Sequence, residues 1–180
     1  MSQLDWIKVG VDLLQAIIGG VFVGVVIYWL DERRAKRDRR LSDFRIASNW
    51  ETTEPKASLR NFDLTKTNLS GYNFVGANLE GTIMKECRIL GTNFNQANLR
   101  HADFRKSRVV SSDFIKTMAY KANFSGASVT ASPNSNSPTY FSQGVLKQAK
   151  FIKTYISGVK FIEVDLKAAD FSNLSLELKM

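Results

Sequence analysis

The chain is poor in the residues that build disulfides, metal centres and acid–base sites. Its 180 residues include one cysteine, Cys87, and one histidine, His101. A single cysteine excludes an internal disulfide, and one histidine without a second ligand nearby does not indicate a metal site. No glycine-rich phosphate loop and no CxxC, HExxH or GxSxG motif occurs. The sequence therefore predicts a protein that is not an enzyme and that uses no cofactor or metal.

What the sequence does contain is a repeat of five residues. An apolar residue stands at every fifth position from Leu59 to Val129 without interruption. A period of five fits neither a helix nor a strand, and a fixed internal period indicates a solenoid. Small residues mostly stand two positions before the apolar ones, and Asn or Asp, which favour turns, often stand between. The clearest units are residues 67–71 (TNLSG), 77–81 (ANLEG) and 97–101 (ANLRH).

This pattern closely resembles the pentapeptide-repeat family, whose repeat is written A(D/N)LXX. The resemblance covers residues 57 to about 176. It implies an all-β fold, a right-handed quadrilateral β-helix with four repeats in each square coil. Residues 57–180 are accordingly predicted to form this β-helix. A loop rich in Ser, Asn and Pro interrupts it at about 130–140, and the period resumes in a shifted phase at Phe141.

Both ends of such a tube must be covered, because they expose strand edges and the core. Residues 41–56 are predicted as a linker and N-terminal cap, on the strength of Leu41, Phe44, Ile46 and Trp50. The tail at 174–180 is the weaker candidate for the other end. It is alternatively a pairing edge for a second copy of the chain.

A hydrophobic run precedes the repeats. After a short segment at 1–12, residues 13–30 read LLQAIIGGVFVGVVIYWL. Eighteen residues of helix span about 27 Å, close to the ~30 Å hydrocarbon core, so the sequence predicts a transmembrane helix. A cleaved signal peptide fits less well, because Asp5 and Asp12 precede the run and no small-residue cleavage site follows. Gly20 and Gly24 form a GxxxG motif beside Gly19, which predicts self-association of this helix into a homo-oligomer.

Residues 31–40 form a basic segment directly after the run. Positive charge stays on the cytoplasmic side of a membrane, so we expect the N-terminus outside and the β-helix in the cytoplasm of a bacterial inner membrane. Basic residues beside a membrane also attract anionic lipid headgroups. The segment contains Arg33, Arg34, Lys36, Arg37, Arg39 and Arg40.

Positions twenty apart should stack, which assigns outward residues to four walls. The first carries Arg60, Glu80, Arg100, His101 and Tyr120; the second Lys66, Lys85, Arg105 and Lys106; the third Ser70, Leu90 and Val110; the fourth Val75, Asn95 and Ile115. We expect Leu90 above Val110 on the third wall, bordered by Arg88 and Arg108, to form a docking site for an unidentified protein partner.

The charge of the chain argues against two roles that involve nucleic acid, imitation of DNA and binding of RNA. Some pentapeptide-repeat proteins imitate DNA, which requires a long acidic face, whereas this chain carries a net charge of +8. Residues 41–180 contain 18 Lys and Arg against 12 Asp and Glu. No aromatic ladder for stacking bases accompanies the basic walls, so RNA binding is not favoured either.

The sequence thus favours a non-catalytic, membrane-anchored interaction scaffold or accessory subunit. A membrane-acting stress or phage-defence effector, whose transmembrane helix self-assembles, is the alternative. A regulator of a channel or transporter is a weaker alternative. Fold does not decide among them, because one solenoid architecture hosts unrelated functions.

Overall fold

The computed structural model describes residues 3–51, 56–133 and 137–176. The chain divides into two compact units, Met1–Arg39 and Arg40–Met180. One helix, α1 (Gln3–Ser48), begins in the first unit and ends in the second. Within the described residues, the second unit otherwise consists of short strands joined by turns. These are β1 (Arg88–Leu90), β2 (Arg108–Val110), β3 (Ser128–Thr130), β4 (Thr139–Ser142), β5 (Tyr155–Ser157), β6 (Val159–Ile162) and β7 (Ser175–Leu176).

All strand pairs are parallel, as they must be when the chain returns to the same wall once per coil. Five strands stack in the order β1-β2-β3-β5-β7 and form the third wall, and β4 pairs with β6 on the fourth. The first and second walls are held by isolated parallel bridges, such as Asn98 to Met118 and Asp63 to Ile83. This β-solenoid confirms the β-helix predicted from the repeat.

The corners explain why the repeat is five residues long. The residue two positions after each apolar residue has a left-handed backbone, with φ of 58° at His101 and 57° at Lys121. The carbonyl of the apolar residue accepts a hydrogen bond from the N–H three residues later, at 3.0 Å for Phe94 and Ala97. The Asn or Asp before the apolar residue also accepts the N–H two residues after itself. These turn bonds offset the strain of left-handed non-glycine residues.

The core consists of stacked columns of apolar side chains. Phe104, Phe124 and Phe151 lie one above another, with ring centroids 4.6 Å and 4.9 Å apart. The small residues between the columns satisfy buried polar groups; for example, Thr92 Oγ1 donates to the carbonyl of Leu69 at 2.7 Å. No buried side-chain polar atom of the described residues lacks a partner. The buried polar side chains of these residues therefore do not destabilise the fold through unmade hydrogen bonds.

The end of α1 and the turn after it cover the first coil. Ala47 and Trp50 are buried, and the Trp50 indole N–H donates to the carbonyl of Ala57 at 2.9 Å. Part of the predicted cap was wrong: Leu41 is 62% exposed and Ile46 is 40% exposed. The cap is helical, so its inner face follows a spacing of three and four residues. That spacing selects Asp43, Phe44 and Ala47.

The first unit is the α1 segment before Arg40. Side chains are described at residue 15 and from residue 18 onward, so part of the predicted span at 13–30 lies outside the described side chains. The described apolar side chains from Ile18 to Leu30 are exposed. Across the described residues, no helix combines the length and the apolar character needed to cross a membrane. The structure thus does not support the predicted transmembrane helix.

The loop between β3 and β4 causes the shift in the repeat phase. Its two legs are joined by a hydrogen bond from Ser132 N–H to the carbonyl of Ser137, at 3.0 Å. Thr139 Oγ1 donates to the carbonyl of Thr130 at 2.8 Å and closes the loop at its base. Residues 134–136 of the predicted loop and 177–180 of the predicted tail lie outside the described residues.

Candidate interaction surface

The docking site predicted on the third wall is only partly present. Leu90 and Val110 are Cα partners in the β1–β2 pair, as the repeat predicts. Leu90 is half-buried, but Val110 is only 5% exposed, so the prediction of an exposed apolar pair was wrong. The β3–β4 loop accounts for this, because Ser111 Oγ donates to the carbonyl of Ser137 at 2.7 Å and holds the loop beside Val110. The repeat could not predict where an inserted loop would pack.

The two arginines of that prediction are placed as expected. Arg88 and Arg108 are exposed and are Cα partners in adjacent coils. Strands that pair in this way lie about 4.8 Å apart, so the structure brings two positive charges together at one corner of the solenoid.

A different wall, the first, carries an apolar groove with a volume of about 550 Å³. Met118 and Val145 form its floor; they are bridged partners in adjacent coils and are 40% and 38% exposed. We call this the first-wall groove. Its lining residues are Glu80, Arg100, His101, Met118, Tyr120, Val145 and Lys147.

Polar contacts fix the orientation of the aromatic group in this groove. The Tyr120 hydroxyl donates to Gln148 Oε1 at 3.1 Å. The His101 ring meets the Tyr120 ring edge-on, with centroids 5.8 Å apart. Lys121 Nζ lies 5.1 Å from the centre of the same ring, within cation–π range. Tyr120 thus presents a fixed apolar surface, which lowers the entropy cost of binding.

The rim of the first-wall groove is charged. Glu80 pairs with Arg60 at 3.0 Å, and Lys147 pairs with Asp165 at 3.0 Å. The hydrogen bond from Lys147 lowers the pKa of the Asp165 carboxyl, which keeps this pair ionised at neutral pH. Arg100 makes no ion pair within the described part of the chain. An apolar floor inside a charged rim is the usual anatomy of a protein-binding surface.

The described residues hold no cluster of His, Cys, Asp or Glu that could bind a metal ion. The Cys87 thiol is buried and donates to the carbonyl of Leu64 at 2.9 Å, and burial raises its pKa. Such a thiol is protonated and unreactive at neutral pH.

Sequence reasoning missed Met118 and Val145, although a signal was present. Both occupy the position between the small and the apolar residue, where Asn78 and Asn98 stand in the same column. An apolar residue there gives up the turn hydrogen bond of Asn. The two positions are 27 residues apart because of the inserted loop, so the twenty-residue rule did not place them together.

The basic segment and the glycines predicted for helix association lie on α1. Arg34 pairs with Asp31 at 3.6 Å, Lys36 with Glu32 at 2.6 Å and Arg37 with Asp38 at 3.9 Å. All three pairs are exposed to solvent, which screens them, so they contribute little to stability. The Arg33 guanidinium lies 3.4 Å from the centre of the Trp29 ring, and Arg40 is half-buried. Arg39 is exposed.

The three glycines leave open space around them. A Cβ added at Gly19, Gly20 or Gly24 would meet nothing within 4 Å. A close approach by another helix is therefore sterically possible at all three positions.

Comparison with known proteins gives one family and several remote structural likenesses. The model of the family "Pentapeptide repeats" matches residues 56–89 and 92–130 in eight copies. No curated protein matches the chain. The solved pentapeptide-repeat protein Rfr23 from the cyanobacterium Cyanothece 51142 is 15% identical, over 64% of this chain and 91% of that one, with a TM-score of 0.38.

Two further solved structures are similar at the same level. Full-length QnrB1, a plasmid-mediated fluoroquinolone resistance protein, is 19% identical over 64% of this chain and 75% of its own, with a TM-score of 0.31. HetL, a pentapeptide-repeat protein involved in heterocyst differentiation regulation in the cyanobacterium Nostoc sp. strain PCC 7120, is 18% identical. That match covers 66% of this chain and 59% of HetL, with a TM-score of 0.26. At these scores the likenesses carry no argument about function.

Proposed function

We propose that this chain, whose residues 56–89 and 92–130 match the pentapeptide-repeat family, acts as a non-catalytic, membrane-anchored scaffold that docks a protein partner in the first-wall groove. The observation that supports docking is the exposed apolar floor of Met118 and Val145. The partner would bury this floor and the Tyr120 ring, while the charged rim would set orientation and exclude mismatched partners.

The residue types in the groove suit protein recognition. Met adapts its shape to a partner, and Tyr and Arg are enriched at the centres of interfaces. Arg100 has no ion pair within the described residues, so a carboxylate on the partner would gain a charge-assisted hydrogen bond there. The expected partner surface therefore has an apolar side chain flanked by an acidic group.

Photo-crosslinking tests this docking surface. A benzophenone amino acid at Tyr120 should give a discrete adduct in cells. The same group at Ile115, a half-buried residue at the equivalent repeat position on the fourth wall, serves as the control. Adducts of equal yield at both sites, or none at Tyr120, would contradict docking in the first-wall groove. An adduct with a channel or transporter subunit would favour a regulator of that protein.

Membrane anchoring is the second part of the proposal. It is supported by the exposed apolar side chains between residues 18 and 30, among them Phe22 at 68% and Val21 at 63%, and by the basic segment at 31–40. We propose an orientation with the N-terminus outside and the β-helix in the cytoplasm of a bacterial inner membrane. Recovery of the full chain in the soluble fraction after cell lysis, without detergent, would contradict this part.

A membrane-acting effector remains the second candidate function. It is favoured by the open space around Gly20 and Gly24 together with the apolar segment in which they lie. Under this alternative, overexpression should depolarise cells, and Gly20→Leu with Gly24→Leu should remove the effect. If overexpression does not depolarise cells, or still does so after both substitutions, the scaffold is the better proposal for the function of this chain.

A further inference from the structure

The corner between the second and third walls carries positive charges that pair with no carboxylate of the described residues. Two residues from each coil point outward at this corner. Lys106 and Arg108 belong to one level, Gly126 and Ser128 to the next, and Lys153 and Tyr155 to the one after. Strand pairing fixes these levels, because Arg108, Ser128 and Tyr155 are successive Cα partners.

The three cations of this corner are exposed and unpaired. Lys106, Arg108 and Lys153 make no ion pair within the described residues. The carboxylate at this corner in the coil before Lys106 is Glu86, and it already pairs with Lys66 at 3.5 Å. Like charges in register repel each other, so an anion that binds among them relieves the repulsion.

The middle level of the corner leaves room for such an anion. Gly126 has no side chain, and Ser128 has a small one. A Cβ added at Gly126 would lie 3.7 Å from Lys106 Cγ, so the Lys106 stem already leans over this gap. Lys106 and Lys153 are two coils apart, about 10 Å, which lets two long side chains converge on one group between them.

We propose that this notch binds a phosphate group, either as inorganic phosphate or as a phosphate ester such as a lipid headgroup. The Arg108 guanidinium offers paired N–H donors that match phosphate geometry. The Lys106 and Lys153 ammonium groups approach from either side, and the half-buried Ser128 hydroxyl donates from the floor. The notch lies on other walls than the first-wall groove and does not depend on the proposed docking.

A residue-resolved NMR titration of the full chain in neutral detergent tests the proposal. Inorganic phosphate and glycerol 3-phosphate are added separately at constant ionic strength. We expect saturable shifts of the Gly126 and Ser128 amides. Lys153→Gln should raise the dissociation constant roughly two- to fivefold, the range expected for one exposed charge contact. Glutamine suits the position, since Gln148 adopts a φ of 55° at an equivalent corner and Lys153 one of 54°.

Two further variants separate the site from general charge. Lys116→Gln removes the same charge at an exposed fourth-wall corner with a φ of 57°, and it should leave phosphate binding unchanged. Gly126→Asn keeps the net charge but fills the notch, and it should abolish the saturable shifts. Asn61 shows that asparagine accepts this backbone, with a φ of 59°.

The outcomes are distinct. Shifts that do not saturate, or equal weakening by Lys116→Gln and Lys153→Gln, would overturn the proposal. Tighter binding of glycerol 3-phosphate supports the notch and indicates a phosphate ester as its ligand. Tighter binding of inorganic phosphate supports the notch and indicates the free anion.

Discussion

The two ends of the solenoid carry the same repeat but differ in how their core residues are covered. The first apolar residues of the four columns are at most 1% exposed, because the end of α1 and Trp50 lie over them; they are Leu59, Leu64, Leu69 and Phe74. At the other end Leu176 is 62% exposed, and Phe161, Leu166 and Phe171 are only partly buried. An inward position in the repeat is thus buried only when a neighbouring coil or a cap lies above it.

The last coils also depart from the repeat in composition. Val159, Val164 and Leu174 stand where earlier coils have small residues, and they are partly buried against the core. The family match ends at residue 130, before these coils.

The largest expected difference between the ends is in the loss of unfolding free energy when one aromatic residue at each end is replaced by alanine. Trp50→Ala removes a buried side chain, its contact with Phe74 and a hydrogen bond, and should lower the free energy of unfolding by about 3–5 kcal/mol. Phe171→Ala should cost only about 1–2 kcal/mol, because its ring is only partly buried where it stacks on Phe151 and meets Phe161 edge-on. Urea unfolding of both variants measures the difference. Equal losses would mean that the C-terminal end is covered as well as the N-terminal one.

A smaller difference is expected between two glycines of the same column on the third wall. Gly71 and Gly158 both have positive φ, at 76° and 62°. A Cβ at Gly158 would lie 2.5 Å from Ala131 Cβ, whereas one at Gly71 would meet nothing within 4 Å. Gly71→Ala should cost about 1 kcal/mol from the backbone alone, and Gly158→Ala about 2–3 kcal/mol. Thermal unfolding compares them; similar midpoints would show that the β3–β4 loop yields without cost.

The smallest effects concern two aspartates of the regular coils with opposite pKa shifts. Partial burial raises the pKa of Asp103, but hydrogen bonds from Arg105, with the charges of Arg105 and Lys85, outweigh it and lower the pKa overall. Burial alone raises the pKa of Asp113. Above about pH 4 the ionised Asp103 therefore stabilises the fold, and this contribution is lost as pH falls through its lowered pKa. The ionised Asp113 destabilises the fold at neutral pH.

The Asn variants test these signs. At pH 7, Asp103→Asn should lower the free energy of unfolding, and Asp113→Asn should raise it, each by a few tenths of a kcal/mol because both sites are partly solvated. The Asp113 difference should disappear as pH falls through its raised pKa toward about 4, whereas the Asp103 difference should shrink only as pH falls below about 4. Urea unfolding at several pH values measures them, and changes of the same sign at pH 7 would refute the assignment.

The repeat was enough to predict the β-solenoid and its four columns. Local rules suffice there, because each corner is made by its own five residues. The sequence did not predict the burial of Val110, because that burial depends on the path of an inserted loop. It also did not predict that the cap is helical, with Asp43 on its buried face and Leu41 exposed. Nor did it predict the first-wall groove, since Met118 and Val145 meet only after the phase shift.

The departures from the repeat at Met118 and Val145 are central to this account, because they give up turn-forming residues for an apolar surface. Replacing both by Asn restores the residue of the repeat while removing the groove floor. The decisive measurement compares this double variant with the matched second-wall variant Ile83→Asn, in both unfolding free energy and crosslinking through Tyr120. We predict that the double variant folds at least as stably as the unmodified chain and loses the Tyr120 adduct, whereas Ile83→Asn retains it. An adduct that persists in a folded double variant would contradict the role proposed for this groove.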